Sequence, residues 1–475
     1  MAAPVRCHLK NNIFKHLRSC SRVYRPSHCK QSTSAASLQD YEEPQYPSIK
    51  PRLPPGVWGD SQPKWAWQQH ERGEELKSIP KAKERLEELA HNEQITAYRV
   101  HGLHDTPRTL EYKKFITKTH LLNGLPDAIT NCDVSELVAK LQPFIEEAII
   151  EDHNQIRIEQ PSDVVAGEYQ HQELMSAIFN TILTKLAARH DYLRRAQVDE
   201  DVRIEAFWAR SGFREQYARA KDNSGVTRFN YKNLASLQLR SELPLPEFVS
   251  PDDAVCSSEF PALPYGPHAI GQNLIRDKPM SISGHWIGDP CEFHVMSWLM
   301  VPRQSREKFI QKTDEGYYDE QLLQYGLTSS FASCVSQSHN QGFNRYLDIT
   351  YPFTTQTVLT DGQHFRFFAY QLNSLHIWRP DDAWRVQNIC WASPNMKLFD
   401  SVEASRVVGF NPDVLRILLQ MYLNQPQDRG VDLRPYLPED ESPSKTKDYV
   451  NVIGEPVIER PVIGRLQYRA DAVYF

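Results

Sequence analysis

The sequence predicts an α+β protein: helices followed by a mainly antiparallel sheet with a packed C-terminal helix, plus extended N- and C-terminal arms. Three observations carry this. Two β-rich runs, Thr354–Thr360 and Gln363–Leu375, flank Asp361-Gly362, a pair suited to a tight hairpin turn. After Asn411, which can cap a helix, come Pro412 at a first-turn position and Asp413 at the positive end of the dipole. Upstream, two stretches repeat apolar residues at helical spacing.

Along the chain, residues 1–39 read as a mitochondrial presequence. Leu9, Ile13 and Leu17 recur every four residues between Lys10, Lys15 and Arg18, and a Ser-rich piece follows. Residues 40–110 read as an extended arm bearing Pro and Trp, then a highly charged helix over 71–92. Residues 111–245 form a helical and basic region. In it Tyr112–Pro126 is basic and then apolar, one helix runs from Asp133 or Ser135 through Glu151, and a second spans Gln170–His190 on Leu174, Ile178, Ile182 and Leu186.

Residues 246–437 are expected to form the α+β core domain. Met280–Val301 resumes strand character after a Pro-rich stretch, and Tyr317–Ser338 is partly helical. In the second strand of the hairpin, Phe365, Phe367 and Ala369 point to one side and Phe368, Tyr370 and Leu372 to the other. That strand therefore needs cover on both faces. Asn388–Trp391 is a further short strand. In the last helix Val414, Leu415, Leu418, Leu419 and Tyr422 share the buried face, with Arg416 and Gln420 solvated. Residues 438–475 are read as an extended tail.

The 475 residues carry a formal charge of −6. The seven Lys or Arg of residues 1–39 meet no Asp or Glu, so the remainder stands at −13. Such a chain does not bind nucleic acid through its total charge and needs a local basic surface. Arg203–Arg240 supplies a candidate: Arg203, Arg210, Arg214, Arg219, Lys221, Arg228, Lys232 and Arg240, interleaved with Phe213, Tyr217, Phe229 and Tyr231. Cations meet phosphates and aromatics stack on bases, which suits RNA. A solvated strand edge with ordinary ion pairs has the same composition.

No run of apolar residues approaches a membrane span. Eight cysteines without a C-x-x-C pair suggest neither disulfides nor zinc, and His285, Cys291 and His294 make a weak metal set. Phosphate loops, G-x-S-x-G and H-E-x-x-H are absent from the sequence. No catalytic residue, metal, cofactor or small-molecule substrate is therefore assigned. The alternative is a mitochondrial matrix enzyme whose site assembles from distant residues around His285, His294 and His364.

Phe115–Pro126 (FITKTHLLNGLP), Gly288–Cys291 (GDPC), Pro352–Leu375, Asn388–Trp391 and Gly409–Pro426 together resemble one family. It is the mitochondrial ribosomal protein family first named small-subunit protein thirty, also called programmed cell death protein nine and now counted as large-subunit protein sixty-five. The resemblance implies a non-catalytic constituent of the large ribosomal subunit in the mitochondrial matrix. Its implied partners are large-subunit rRNA and other mitochondrial ribosomal proteins, among them the related large-subunit protein thirty-seven, near the L1 stalk. No site residues come with it.

Overall fold

The computed structural model describes residues 95–436 and residue 78, apart from 101, 104–108, 159–165, 214–225, 258–262, 264, 278, 286–288, 303–305, 307–309, 311–313, 345–347, 379–385 and 404. The expected presequence, both terminal arms and nearly all of the charged helix over 71–92 lie outside these residues.

Among the described residues ten strands form one mixed sheet, eight of them in the order β2-β9-β8-β7-β6-β4-β1-β5, with β3 paired to β4 and β10 to β8 off this path. Their ranges are β1 Ile95–Val100, β2 Thr119–Asn123, β3 Gln197–Arg210, β4 Thr227–Ser241, β5 Leu274–Asp277, β6 Phe293–Met300, β7 Phe353–Thr360, β8 His364–Leu372, β9 Asn388–Ala392 and β10 Met396–Lys397. A separate hairpin joins β11 (Ser401–Glu403) to β12 (Arg406–Val408). The pairs β1–β4, β2–β9 and β6–β7 are parallel and the other pairings of the large sheet antiparallel. The sheet is thus mainly antiparallel, as expected. It takes strands from both sides of position 245, so the division expected there does not interrupt it.

The helices are α1 Leu110–Thr117, α2 Asp127–Thr130, α3 Ser135–Ile158, α4 Ala166–Ala187, α5 Asp191–Arg195, α6 Glu315–Asn340 and α7 Pro412–Leu423. Helices α3, α4 and α7 cover one face of the sheet, where Phe365, Phe367 and Ala369 of β8 join Leu141, Phe179 and Leu418. On the other face Phe368, Tyr370 and Leu372 join Leu327, Phe331 and Val335 of α6. The two-faced burial of β8 follows its sequence alternation residue by residue.

Helix α6 is buried over every residue from Gln324 to Ser338. The sheet curls around it: Phe331 meets Trp208 of β3 at 5.1 Å and Tyr370 of β8 at 6.1 Å between ring centroids. Small side chains make this enclosure possible, since a Cβ at Gly326 would overlap the Phe368 ring. Ser330 Oγ lies 2.8 Å from Thr357 Oγ1, so the small polar residues satisfy one another. The side chain of Asp314 caps α6 by accepting from the Tyr317 N–H at 2.7 Å.

Strand β4 is shared. β3 runs along one edge for nearly its whole length, so β1 at Phe229–Tyr231 and β6 at Leu237–Ser241 divide the opposite edge. Near Asp201, which has φ 49°, the hairpin changes layer. Tyr231 and Ala235 pack toward α6, whereas Leu237 and Leu239 join the opposite cluster.

Two local expectations need correction. Three residues, not two, connect β7 to β8, with Gly362 at φ 88° and Asp361 Oδ1 accepting from the Gln363 and His364 N–H groups. Gln420 is buried rather than solvated, because its amide donates to the Thr130 and Cys132 carbonyls at 2.8 and 2.9 Å. The α7 cap is as expected: Asn411 Oδ1 accepts from the Asp413 N–H at 3.0 Å.

Candidate nucleic-acid interface

The basic stretch forms the long β3–β4 hairpin, and the structure sorts its cations by burial. Arg203 is 61% exposed and pairs with Glu205, a carboxylate only 2% exposed. Lys232, directly opposite Glu205 in the ladder, contacts it at 3.4 Å and reaches Asp277 at 2.7 Å. Arg228 is half-buried at the end of the hairpin where β3 passes into β4, opposite Ala209. Arg214, Arg219 and Lys221 lie outside the described residues.

Arg210 turns inward. Its Nε and Nη1 donate to the Phe115 and Ile377 carbonyls at 2.9 and 2.7 Å, and its guanidinium sits 4.5 Å from the Phe115 ring centroid. Burial lowers its pKa to about 10, so it stays charged at neutral pH. Arg240 is 1% exposed. Its Nε donates to Asp199 at 2.6 Å and its Nη2 to Asp289 at 3.3 Å, with the Cys291 carbonyl as a further acceptor. Burial works against this charge, but the two carboxylates outweigh it and hold the pKa above the ordinary arginine value. Both guanidinium groups tie distant segments of the chain together, and neither can meet a phosphate while those bonds stand.

The interleaved aromatics are also interior. Phe229 and Tyr231 have no exposed surface, and Phe213 packs edge-on against Phe115 at 5.0 Å. They fill the seam between the sheet, α1 and α6. Tyr217 lies outside the described residues.

The three histidines divide between two places. His285 and His294 stand 5.7 Å apart beside Arg240, and His294 is fully buried. The Ser283 carbonyl can only accept, so His294 Nε2 donates to it at 3.0 Å and Nδ1 accepts from the Ser333 hydroxyl at 2.7 Å. This is the neutral imidazole. Burial, reinforced by His285 and Arg240, keeps its pKa well below the usual value. Burial and Arg240 likewise bring His285 down to about 4. His364 lies at the far end of the strands, about 20 Å away by strand rise, bonded to Asp361 at 3.1 Å. The three share no cleft. Among the described residues no group of three or more His, Cys, Asp or Glu is placed to hold a metal ion, and no helix is long and apolar enough to cross a membrane. Cys256, Cys291, Cys334 and Cys390 are buried free thiols, whereas Cys132 is exposed.

Sequence reasoning passes over a group of exposed cations just before the hairpin: Lys185, Arg189, Arg194 and Arg195. Their signal is the density of basic residues between Thr184 and Ala196. Reading Gln170–His190 as a core stripe hides it.

The family model described as mitochondrial 28S ribosomal protein S30 (PDCD9) matches residues 14–426. The chain is 22% identical to large ribosomal subunit protein mL37 of Gallus gallus over 391 residues, covering 79% of this chain and 81% of that protein.

Proposed function

The chain belongs to the mitochondrial 28S ribosomal protein S30 (PDCD9) family, and from that premise we propose that it is a non-catalytic, structural constituent of the large subunit of the mitochondrial ribosome. It is a mitochondrial ribosomal protein. The family description names the small, 28S particle. The similarity to a large-subunit protein over 79% of the chain is the observation that favours the large subunit. In this reading the protein works in the matrix, supporting mitochondrial translation through contacts with large-subunit rRNA and neighbouring proteins, the related subunit mL37 among them.

The chemistry of the interior supports a structural role. Arg210, Arg240 and the buried histidines are committed to bonds within the chain, as in a scaffold that holds preformed surfaces. In the β3–β4 hairpin the RNA-facing assignment narrows to Arg203, Arg228 and Lys232, with Arg214, Arg219 and Lys221 beyond the described residues.

Sedimentation of a mitochondrial lysate through sucrose, with and without EDTA, tests the reading. The protein should travel with the large subunit and remain there when the subunits separate. Migration with the small subunit would reassign the particle, and a pool confined to the top of the gradient would overturn the ribosomal role.

A further inference from the structure

We propose that the corner built by the last turn of α4 and by α5 is a contact surface for the phosphate backbone of ribosomal RNA, a proposal that rests on the ribosomal reading above. Lys185 lies in the last turn of α4, Arg189 two residues past the end of that helix, and Arg194 and Arg195 in the last turn of α5. All four are exposed. Asp191 is the one acidic residue between positions 184 and 196, and Glu136 of α3, whose carboxyl is held below the usual range by Lys140 and more weakly by Arg189, faces the same group of cations.

The ion pairs here are weakly held. Arg194 and its partner Asp191 have side chains 62% and 69% exposed. Arg195 and Glu242, 3.3 Å apart, are 62% and 46% exposed. Pairs this open contribute roughly 0–1 kcal/mol, so a phosphate can take the carboxylate's place at little cost. Arg210 and Arg240 differ, since release of either would leave buried carbonyls or carboxylates without donors.

Geometry and surroundings favour a polyanion. Guanidinium groups match phosphate oxygens with two parallel donors. Lys185 in the last turn of α4 and Arg194 and Arg195 in the last turn of α5 each sit where a cation complements the helix dipole, so it is their exposure and not their position that favours a polyanion. Two large apolar side chains are exposed near the corner: Phe144 at 42%, under Lys185 with the Nζ 3.8 Å from the ring centroid, and Leu243 at 37%, next to the Arg195 partner Glu242. A protein partner would draw on a desolvated aromatic or aliphatic anchor, whereas a phosphate backbone needs only accessible cations.

The test uses the full chain and a variant carrying R189Q, R194Q and R195Q. Binding to transcribed mitochondrial large-subunit rRNA is followed by fluorescence anisotropy over a KCl series, with polyglutamate as the competing polyanion. Loss of two to three phosphate contacts should flatten the slope of log affinity against log salt by about 1.4–2.7 and weaken binding at least about tenfold, with the thermal melt unchanged. An unchanged slope and affinity in the variant would overturn the proposal. So would wild-type protein that binds polyglutamate and not the rRNA. The gradient above separates the two claims: if wild type sediments with the large subunit while the variant keeps the wild-type slope, the surface assignment alone falls.

Discussion

At the scale of single residues, an arginine in a basic stretch can serve an RNA or its own fold, and burial decides which. Arg240 serves the fold. Replacing it by Gln leaves Asp199 and Asp289 facing the interior without their cation, which should cost about 3–5 kcal/mol, measured by urea unfolding. The rRNA affinity of the fraction that folds should be unaffected. His285 and His294 give a pH signature. Their folded pKa values are depressed, so the unfolded chain binds more protons below pH 6.5, and stability is lost as pH falls from 6.5 toward 4. The slope should be at most about 1.4 kcal/mol per pH unit per histidine. H285N should flatten the profile in that window. It should leave untouched the loss at lower pH that comes from Asp361, whose carboxyl is held below its usual range by His364 and by the Gln363 and His364 N–H groups, against the opposing effect of burial.

At the scale of elements, α6 is the part on which the others close. Gly326→Ala should gain about 1 kcal/mol in helix propensity yet lose more from overpacking against Phe368, for a net destabilisation of about 1–2 kcal/mol by chemical denaturation. If the variant is more stable than wild type, the enclosure of α6 is looser than described. How far each element is legible follows from where its information lies. The β7–β8 hairpin and α7 are local: alternation, a turn glycine and an Asn-Pro-Asp start lie within a few residues of one another. Helix α6 is less legible, because enclosure on all sides selects Ser, Gly, Gln and Cys over an apolar stripe, and without that stripe Tyr317–Ser338 reads as helical only in part. Gln420 is misread for a related reason. Its acceptors, Thr130 and Cys132, are far away in sequence, and a glutamine's type says nothing of a distant carbonyl. The candidate site suffers most, since Arg203, exposed, and Arg210, enclosed, lie on one strand with the same residue type.

At the scale of the whole molecule, the segment after α7 runs back across the sheet. Gln427 bonds to Pro244, Arg429 donates to the Pro352 carbonyl at 2.5 Å and to Thr354 Oγ1 at 3.0 Å, and Tyr436 meets the Phe343 ring at 5.6 Å. Arg429→Ala should therefore lower stability by about 1–3 kcal/mol, read as a shift of the urea midpoint, by leaving buried acceptors unpaired. The pairing of β2 with β9 has a different kind of consequence. Thr119 lies beside Asn388, and Trp208 waits for Phe331. A chain made from its N-terminus emerges with β1 to β5 long before it can supply the helix they enclose or the strand that borders β2. Until then Trp208, Phe229 and Tyr231 have no interior to enter and β2 presents a bare edge. Order of synthesis and order of folding therefore diverge, and the earliest segments need shelter until the later ones are available.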